Sequence, residues 1–364
     1  MRTLIPMLSL RLSIRLFCLA PALLTGSLSL HAQVTGGDAA YEFMDLPASA
    51  RLQALRNNLI SISDGDVALA SLNPASLNAQ AHGRLSFSHA FLLAGTQSGY
   101  FAYGHHLAKA HITTHFALRY MNYGDFAGTD ELGMATTTFK AKEVAMTIGA
   151  SKQLYSRLSV GLNLKVVSSA FEQYNSWGLL GDLGFLYRDT SRNLSIGLVF
   201  RQFGRQLTTY ADVREPVPCD LQVALSKRLK YLPFRLTLMY HSLNRWNILY
   251  DDPNTEEPSP LFSDEQPSGQ GFNWFDNLAR HFTLSGEFLL GKRENLNLRL
   301  GYDHQLQREM KVRSYRSLAG FSLGFGLKIN RFKIDYGHSF QHLAGGYNYF
   351  SVSTLLSEFR KGGG

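Results

Sequence analysis

The segment Leu158-Ser-Val-Gly-Leu-Asn-Leu-Lys-Val166 decides the fold, because apolar and polar residues alternate along its whole length. An alternation with period two places successive side chains on opposite faces of an extended strand. One face of this strand is therefore apolar, and the other is small, polar or charged. These features predict an all-β chain in which every strand has one apolar face, since the same alternation returns at 194–201, 234–241, 296–303 and 320–329.

The lengths of the connections decide between a soluble sandwich and a membrane barrel, since strands alternate in both. Short turns on one side and long loops on the other are typical of outer-membrane barrels, whose short turns lie in the periplasm. Every second predicted connection is a tight turn, at 108–109, 152–155, 189–192, 229–232, 291–294 and 330–331. The others are mostly long, at 124–141, 204–218, 246–278 and 307–316.

About fourteen strands follow from this pattern, an even number that returns the C-terminus to the periplasmic side. Tyrosines near strand ends, such as Tyr187 and Tyr302, fit an aromatic girdle. We therefore expect an all-β transmembrane outer-membrane barrel over residues 83–359, followed by a tail at 360–364. The predicted strands are 84–92, 98–107, 110–123, 142–151, 156–169, 175–188, 193–203, 219–229, 233–245, 279–290, 295–306, 317–329, 332–341 and 346–358.

The first 32 residues have the features of a secretory signal peptide. Three arginines and no acids flank or precede the apolar run Leu16–Leu24, and short residues lead to Ala32. We place the signal peptide at residues 1–32, with cleavage after Ala32. A lipoprotein signal would need Cys18 as its lipidated residue, but Phe17 before it is too bulky for the peptidase.

Charge and cysteine content exclude several classes of protein. Removing the signal peptide lowers the formal net charge from +8 to +5, and the mature chain has no run of basic residues. A nucleic-acid partner is therefore not expected. Cys219 is the only cysteine left, which excludes an intramolecular disulfide and a thiolate metal site. No cofactor is predicted.

Residues 33–82 lack the alternation and are too short to form a core of their own, so we predict that they fold into the barrel lumen as a plug. Pro47–Leu55 reads as a short helix with the proline at its start. Val67–Leu72 reads as a second apolar piece, which ends at Asn73-Pro74-Ala75. We assign these last three residues to the plug.

Two features of the predicted wall suit contact with a plug. The glycines at 320, 324 and 326 would let another backbone approach the wall closely. Lumen-facing charges stand two or four positions apart on one strand face, as in Arg299 with Asp303 and Lys333 with Asp335. We expect these charges to tie the plug to the wall.

Eight segments spread over the mature chain carry a family resemblance: Tyr41–Arg51, Asp66–Ala75, Ser168–Tyr174, Gly178–Gly184, Arg214–Pro216, Gly320–Ile329, Asp335–Gly337 and His342–Asn348. They resemble the PorQ family of the type IX secretion system of Bacteroidota, whose relatives are PorV and, more distantly, the FadL-type barrels. The Asn-Pro-Ala element alone is typical of the broader barrel family. One departure is Arg56-Asn57, where the PorQ family usually has Gly-Gly.

The resemblance implies a non-enzymatic component of a cargo attachment complex in the outer membrane of a Bacteroidota-like Gram-negative bacterium. The implied partners are a PorZ-like surface protein, a PorU-like sortase and a PorV-like shuttle. Outer-membrane lipid or lipopolysaccharide is a further expected partner. With the short turns in the periplasm, we expect the long loops to be extracellular and both termini to be periplasmic.

The long loop 246–278 supplies the predicted partner-binding residues. Large rigid aromatic side chains are favoured at the centres of protein interfaces. An alternative is that these side chains fold over the barrel mouth as a lid. The aromatic residues are Trp246, Phe262, Phe272, Trp274 and Phe275.

Other functions remain to be weighed against the anchor. A FadL-like channel for hydrophobic solutes would need an apolar pocket between plug and wall, whereas the predicted lumen positions are mostly small or polar. An embedded hydrolase would need a serine, a histidine and an orienting group to converge, and no G-x-S-x-G element is present. The acidic residues Asp251, Asp252, Glu256 and Glu257 have the oxygen ligands that calcium prefers, but their spacing fits no EF-hand loop, which favours a solvated acidic loop. A metal site at His105 and His106 is not expected, because adjacent residues on a strand point to opposite faces and cannot bind one ion together.

Overall fold

The computed structural model describes residues 39–130, 132, 134–211, 213–248, 274–291, 294–310, 317–342 and 345–360. The predicted signal peptide, the tail after residue 360, Phe262, Phe272 and the acidic residues 251–257 lie outside these residues. No helix in the described part of the chain is long and apolar enough to cross a membrane.

Fourteen antiparallel strands form a closed barrel in which each strand pairs with its neighbours in sequence, and β1 pairs with β14. Closure leaves no unpaired sheet edge, which a membrane-spanning sheet requires. The predicted fold class and strand number are confirmed. The strands are β1 Arg84–Phe91, β2 Gln97–Leu107, β3 Ile112–Thr129, β4 Ala135–Tyr155, β5 Leu158–Phe171, β6 Tyr174–Asp189, β7 Leu194–Thr208, β8 Asp220–Arg228, β9 Phe234–Tyr240, β10 Phe282–Leu290, β11 Leu296–Asp303, β12 Phe321–Ile329, β13 Phe332–His342 and β14 Gly345–Leu355.

The two ends of the barrel differ in their connections. One end, here called the short-turn end, has only short connections, such as the two residues between β12 and β13. The opposite, long-loop end carries the connections 209–219, 241–281 and 304–320 together with a few short ones. Among the described residues, the loops and the C-terminus contain three short helices, numbered after helix α1 of the N-terminal segment (Ala50–Ala54): α2 Trp274–Arg280, α3 His304–Glu309 and α4 Ser357–Arg360.

The predicted long loop 124–141 is wrong, because β3 and β4 continue through most of it as a hairpin to Thr129 and Ala135. Both faces of this extension are largely exposed, as Lys140 paired with Asp125 shows. With no buried face, the sequence there has no apolar alternation to signal a strand. The predicted strand 295–306 also ends early, since Asp303 caps α3 by accepting from the Leu306 amide at 3.1 Å.

The alternation seen in the sequence separates the two faces of the wall. Outward side chains such as Leu162 and Leu164 are 45% and 56% exposed. Inward side chains of the same strand, such as Asn163 and Lys165, are buried. The outer face is therefore apolar and available to lipid, and the inner face is polar and covered.

The inner face is covered by residues 39–82, here called the plug. The plug enters at the long-loop end, where the Ala40 amide donates to the Pro216 carbonyl at 2.9 Å, and leaves at Gly83 beside β1. Its helix α1 spans Ala50–Ala54, three residues later than Pro47, because Ser49 is the N-cap and accepts from the Leu52 amide. The remaining turns are 3₁₀ helices at Glu42–Asp45, Val67–Ser71, Pro74–Ser76 and Ala79–Ala81.

Candidate functional site

Glycines on the inner face let the plug backbone lie directly on the wall. A Cβ atom at Gly161 would lie 2.5 Å from the Ala75 nitrogen. At Gly337 it would meet the Ala50 carbonyl oxygen. Of the three glycines predicted from the sequence, Gly324 lies against the plug, where a Cβ would meet the Ala54 side chain. Glycine is needed at such positions because any side chain would push the plug away.

Asn73, Pro74 and Ala75 lie buried where the plug crosses β5 and β6. The Asn73 side-chain oxygen Oδ1 accepts from the Ala75 amide at 3.0 Å and so caps the 3₁₀ turn. Its amide nitrogen donates to the Ile60 carbonyl at 2.6 Å and to the Phe185 carbonyl at 3.3 Å. One side chain therefore joins two parts of the plug to the wall.

A network of buried charges fastens helix α1 to strands β9 to β11. Arg51 in the plug is 2% exposed, and its Nη2 lies 2.6 Å from Asp64 Oδ2. The same guanidinium reaches Asp66 at 3.1 Å and Glu287 of the wall at 3.2 Å. Breaking such a buried pair by removing one partner is strongly destabilising, because the remaining charge is left without water or a counter-ion.

Strand register places the wall part of this network in one row. Glu287 stands opposite Arg235 of β9 and Arg299 of β11. Arg299 Nε lies 2.9 Å from Glu287, and its Nη1 lies 2.6 Å from Asp335. The pairing of Arg299 with Asp303 on one strand, as the sequence suggested, is therefore not formed. Cross-strand neighbours are closer than residues four apart along a strand.

Asp64 shows how the network sets a carboxyl pKa. Burial alone would raise the pKa of Asp64, but Arg51 and Arg235 outweigh it and hold the pKa well below its usual range. A carboxyl with a depressed pKa stabilises the folded state above its unfolded pKa. This contribution is lost only as the pH falls toward the folded value.

A second polar row crosses β3 to β7. His115 Nε2 and Asn163 Oδ1 are 2.9 Å apart across Gly149, whose missing side chain leaves the gap. Asn163 Nδ2 donates to Asp182 and to the Ala70 carbonyl of the plug, both at 2.8 Å. Lys165 Nζ lies 2.7 Å from Asp182. This row, like the charge network, ends on the plug.

Near the long-loop end the plug is held by Tyr41 and Arg119. The Tyr41 hydroxyl lies 2.6 Å from Ser176 Oγ, and Arg119 Nη1 donates to the Phe43 and Leu46 carbonyls at 3.0 and 2.5 Å. An apolar cluster surrounds these contacts. It contains Ala40, Tyr41, Phe43, Met44, Met121, Ala145, Val167 and Leu180.

Arg56 and Asn57, which stand where the PorQ family usually has Gly-Gly, form the turn after α1. Arg56 has φ +54° and Asn57 has φ +58°, so both adopt the left-handed conformation that Gly-Gly would adopt without strain. The plug keeps this turn although neither residue is glycine. Asn tolerates the conformation well, whereas Arg does not.

Two of the cavities beside the plug have many polar and charged residues in their lining. The larger, about 500 Å³, lies at the long-loop end between residues 39–57 and the ends of β7 to β9, and is here called the upper cavity. The smaller, about 230 Å³, lies at the short-turn end and is lined by residues such as His106, Arg157 and Arg188. No group of three or more His, Cys, Asp or Glu side chains among the described residues is arranged to hold a metal ion.

Three of the five aromatic residues predicted from the sequence fall within the described chain and lie together at the long-loop end. We call Trp246, Trp274 and Phe275 the aromatic patch. The ring centroids of the two tryptophans are 6.1 Å apart, and Trp274 and Phe275 meet edge to face at 4.9 Å. Phe275 is 76% exposed.

Buried polar side chains support the aromatic patch from below. Asn277 Nδ2 donates to the Trp246 carbonyl at 2.6 Å. The His281 ring is fully buried, stacks on Trp246 at 5.8 Å and lies 2.8 Å from the His241 carbonyl through Nδ1. The sequence pattern did not single out these two supports, since a single Asn or His carries no periodic signal of its own.

Comparison with known proteins finds solved structures of similar fold. No protein-family model and no curated protein matches this chain. The toluene transporter TodX of Pseudomonas putida is similar, with a TM-score of 0.51 and 12% identity over 84% of this chain and 96% of that one. The hydrocarbon channel CymD has a TM-score of 0.49 and 15% identity over 84% and 96% of the two chains. A FadL homologue of Pseudomonas aeruginosa has a TM-score of 0.45 and 10% identity over 84% and 97%.

At 12% identity the likeness to the toluene transporter shows the fold alone. The chain therefore shares the barrel fold of that transporter. The resemblance to the PorQ family stays a prediction from the sequence.

Proposed function

We propose that this chain is a plugged outer-membrane barrel that anchors a surface protein, as a PorQ-like component of a type IX attachment complex. The observation that carries the proposal is the buried charge network in which Arg51 joins the plug to Glu287 of the wall at 3.2 Å. A plug fastened by buried ion pairs suits a scaffold better than an open pore, because moving it would expose several desolvated charges at once.

The chemistry of the lumen supports the same proposal. An apolar solute needs a largely apolar pocket with few polar groups. The upper cavity is instead lined by charged side chains, including Arg56, Asp45 and Asp303. Its walls therefore suit water or polar groups.

The proposed docking surface for the PorZ-like partner is the aromatic patch, with Phe262 and Phe272 of the same loop as further candidates. Trp246 and Trp274 are 45% and 47% exposed on rigid supports, which is the arrangement of an interface centre. The PorU-like sortase and the PorV-like shuttle are proposed as further members of the complex.

A paired-variant pull-down tests the anchor. Replacing Trp274 and Phe275 with Ser should abolish recovery of the PorZ-like partner from gently solubilised membranes and reduce display of sorted cargo on the cell surface. The matched control replaces Phe126 and Phe139 with Ser, two stacked aromatics on the β3–β4 hairpin at the same end of the barrel. Equal recovery of the partner by both variants and the parent chain would count against this surface.

A FadL-like channel for hydrophobic solutes is the second candidate, and the fold similarity to a toluene transporter favours it. A specific feature of the chain also suits it: the apolar cluster around Phe43 and Met44 lies at the long-loop end, where a solute would enter. Uptake of radiolabelled toluene into a deletion strain, with and without the restored gene, separates the two functions. Restored uptake with unchanged cargo display would support the channel and count against the anchor.

A further inference from the structure

The upper cavity contains three arginines whose guanidinium groups make no hydrogen bond within the described structure. Arg56, Arg201 and Arg245 line it together, and among the described residues their one ion pair is that of Arg201 with Asp45 at 3.6 Å. Arg201 is 4% exposed, and its Nε has no partner. Arg56 Nε is likewise buried without a partner. Most buried polar groups have a hydrogen-bond partner, so two such donors facing one cavity call for an explanation.

The carboxylates of the same cavity are, by contrast, already engaged. Asp220 accepts from the Ser242 amide at 2.8 Å and from Gln222 at 2.5 Å. Asp45 accepts from Gln202 at 2.9 Å, and Asp303 caps α3. Glu42 also interacts with another group. Each of these carboxylates therefore already has a protein partner, whereas the buried Nε donors of Arg56 and Arg201 have none in the described structure.

The position of Arg56 is held at a cost in backbone strain. Its φ of +54° is a conformation that L residues with long side chains rarely adopt. The stem of the side chain lies over Gly301, where a Cβ would come within 2.7 Å of Arg56 Cγ. The strained backbone and the glycine beneath it together direct the guanidinium into the cavity.

We propose that the upper cavity binds an anion with paired oxygens, a carboxylate or phosphate group, through Arg56 with help from Arg201 and Arg245. The planar fork of a guanidinium matches both groups in two-point geometry. A volume of about 500 Å³ admits a small metabolite-sized ligand. This binding is independent of the proposed anchoring function.

The test uses the full-length barrel in detergent micelles at low ionic strength. Isothermal titration calorimetry with inorganic phosphate and, separately, with succinate should show saturable binding of one anion by the parent chain. Arg56→Gly should weaken that binding roughly tenfold or more, since charge-assisted hydrogen bonds are lost. Glycine fits the left-handed turn, so this variant keeps the fold. Arg56→Lys should restore part of the affinity.

Asn57→Gly is the matched control, because it changes the neighbouring left-handed residue and leaves the guanidinium in place. It should bind as the parent chain does. The phosphate and succinate arms identify which anion class the site prefers. The proposal is overturned if the parent chain binds neither anion, if Arg56→Gly binds as tightly as the parent chain, or if Asn57→Gly loses binding equally.

Discussion

The outer face of the wall and the interface between wall and plug are made by the same strands but by opposite chemistry. Along β5, Leu162 and Leu164 face outward and are exposed, whereas Asn163 and Lys165 face inward and are bonded to Asp182. Lipid contact requires only that a side chain be apolar, so many residues would serve equally well. The inner interface requires specific partners, because each buried polar group must be satisfied. On the outer face any apolar replacement should therefore be tolerated. On the inner face a replacement should be tolerated only where it keeps the hydrogen bonds or ion pairs of the original residue.

The largest expected effect is at the centre of the charge network. Glu287→Gln leaves Arg51, Arg235 and Arg299 without their shared carboxylate, and should lower the free energy of unfolding by about 3 to 5 kcal/mol. Urea unfolding in detergent, followed by tryptophan fluorescence, measures it. Conductance of the variant in planar bilayers would show whether the plug has loosened.

An exposed ion pair supplies the control for this comparison. Lys328 and Glu358 are 3.8 Å apart and both partly exposed, so Glu358→Gln should cost at most about 1 kcal/mol. Adding Arg51→Gln to Glu287→Gln should cost less than the two single changes together, because the residues share one network. Equal costs for the Glu287 and Glu358 variants would contradict the assignment of the network as the fastening of the plug.

The next largest effect is expected from a charge placed on the apolar outer face. Leu162→Arg places a charge toward the bilayer and should cost about 2 to 4 kcal/mol near the midplane. Ser159→Arg on the same strand lines the smaller cavity and should cost much less, since its charge can reach water. Unfolding in lipid vesicles compares the two, and a larger loss for the Ser159 variant would reverse the assignment of faces.

Much of the outer face could be predicted from sequence, whereas the partners inside could not. Period two is a local signal, so it located most of the strands and separated the outward from the inward side chains along Leu158–Val166. The contact between Arg51 and Glu287 joins residues 236 positions apart, and no local pattern encodes it. The pairing of Arg299 with Asp303 that their spacing suggested is not formed, because strand register joins Arg299 to Glu287 and Asp335 instead.

A smaller effect concerns the cap at Asn73. Asn73→Ala removes the acceptor for the Ala75 amide and leaves the Ile60 carbonyl without its donor, in a fully buried place. We expect a loss of about 1 to 3 kcal/mol. Asn78 caps the next turn with the same geometry but is only half-buried, so Asn78→Ala should cost about 1 kcal/mol or less. Thermal unfolding that ranks Asn78 above Asn73 would show that burial is not the deciding factor.

The smallest expected effect is a gain at the strained turn. Arg56→Gly relieves a left-handed residue that costs about 1 to 2 kcal/mol, while glycine gives back about 0.5 to 1 kcal/mol in chain entropy. The variant should therefore be more stable by up to about 1 kcal/mol. Asn57→Gly should instead lower stability by about 0.5 to 1.5 kcal/mol, because asparagine already tolerates this conformation and its amide donates to the Asp45 carbonyl at 2.8 Å, a hydrogen bond that glycine cannot make. Urea midpoints measured side by side decide this, and a loss of stability in Arg56→Gly would mean that the Arg56 side chain contributes more to the fold than its missing hydrogen bonds suggest.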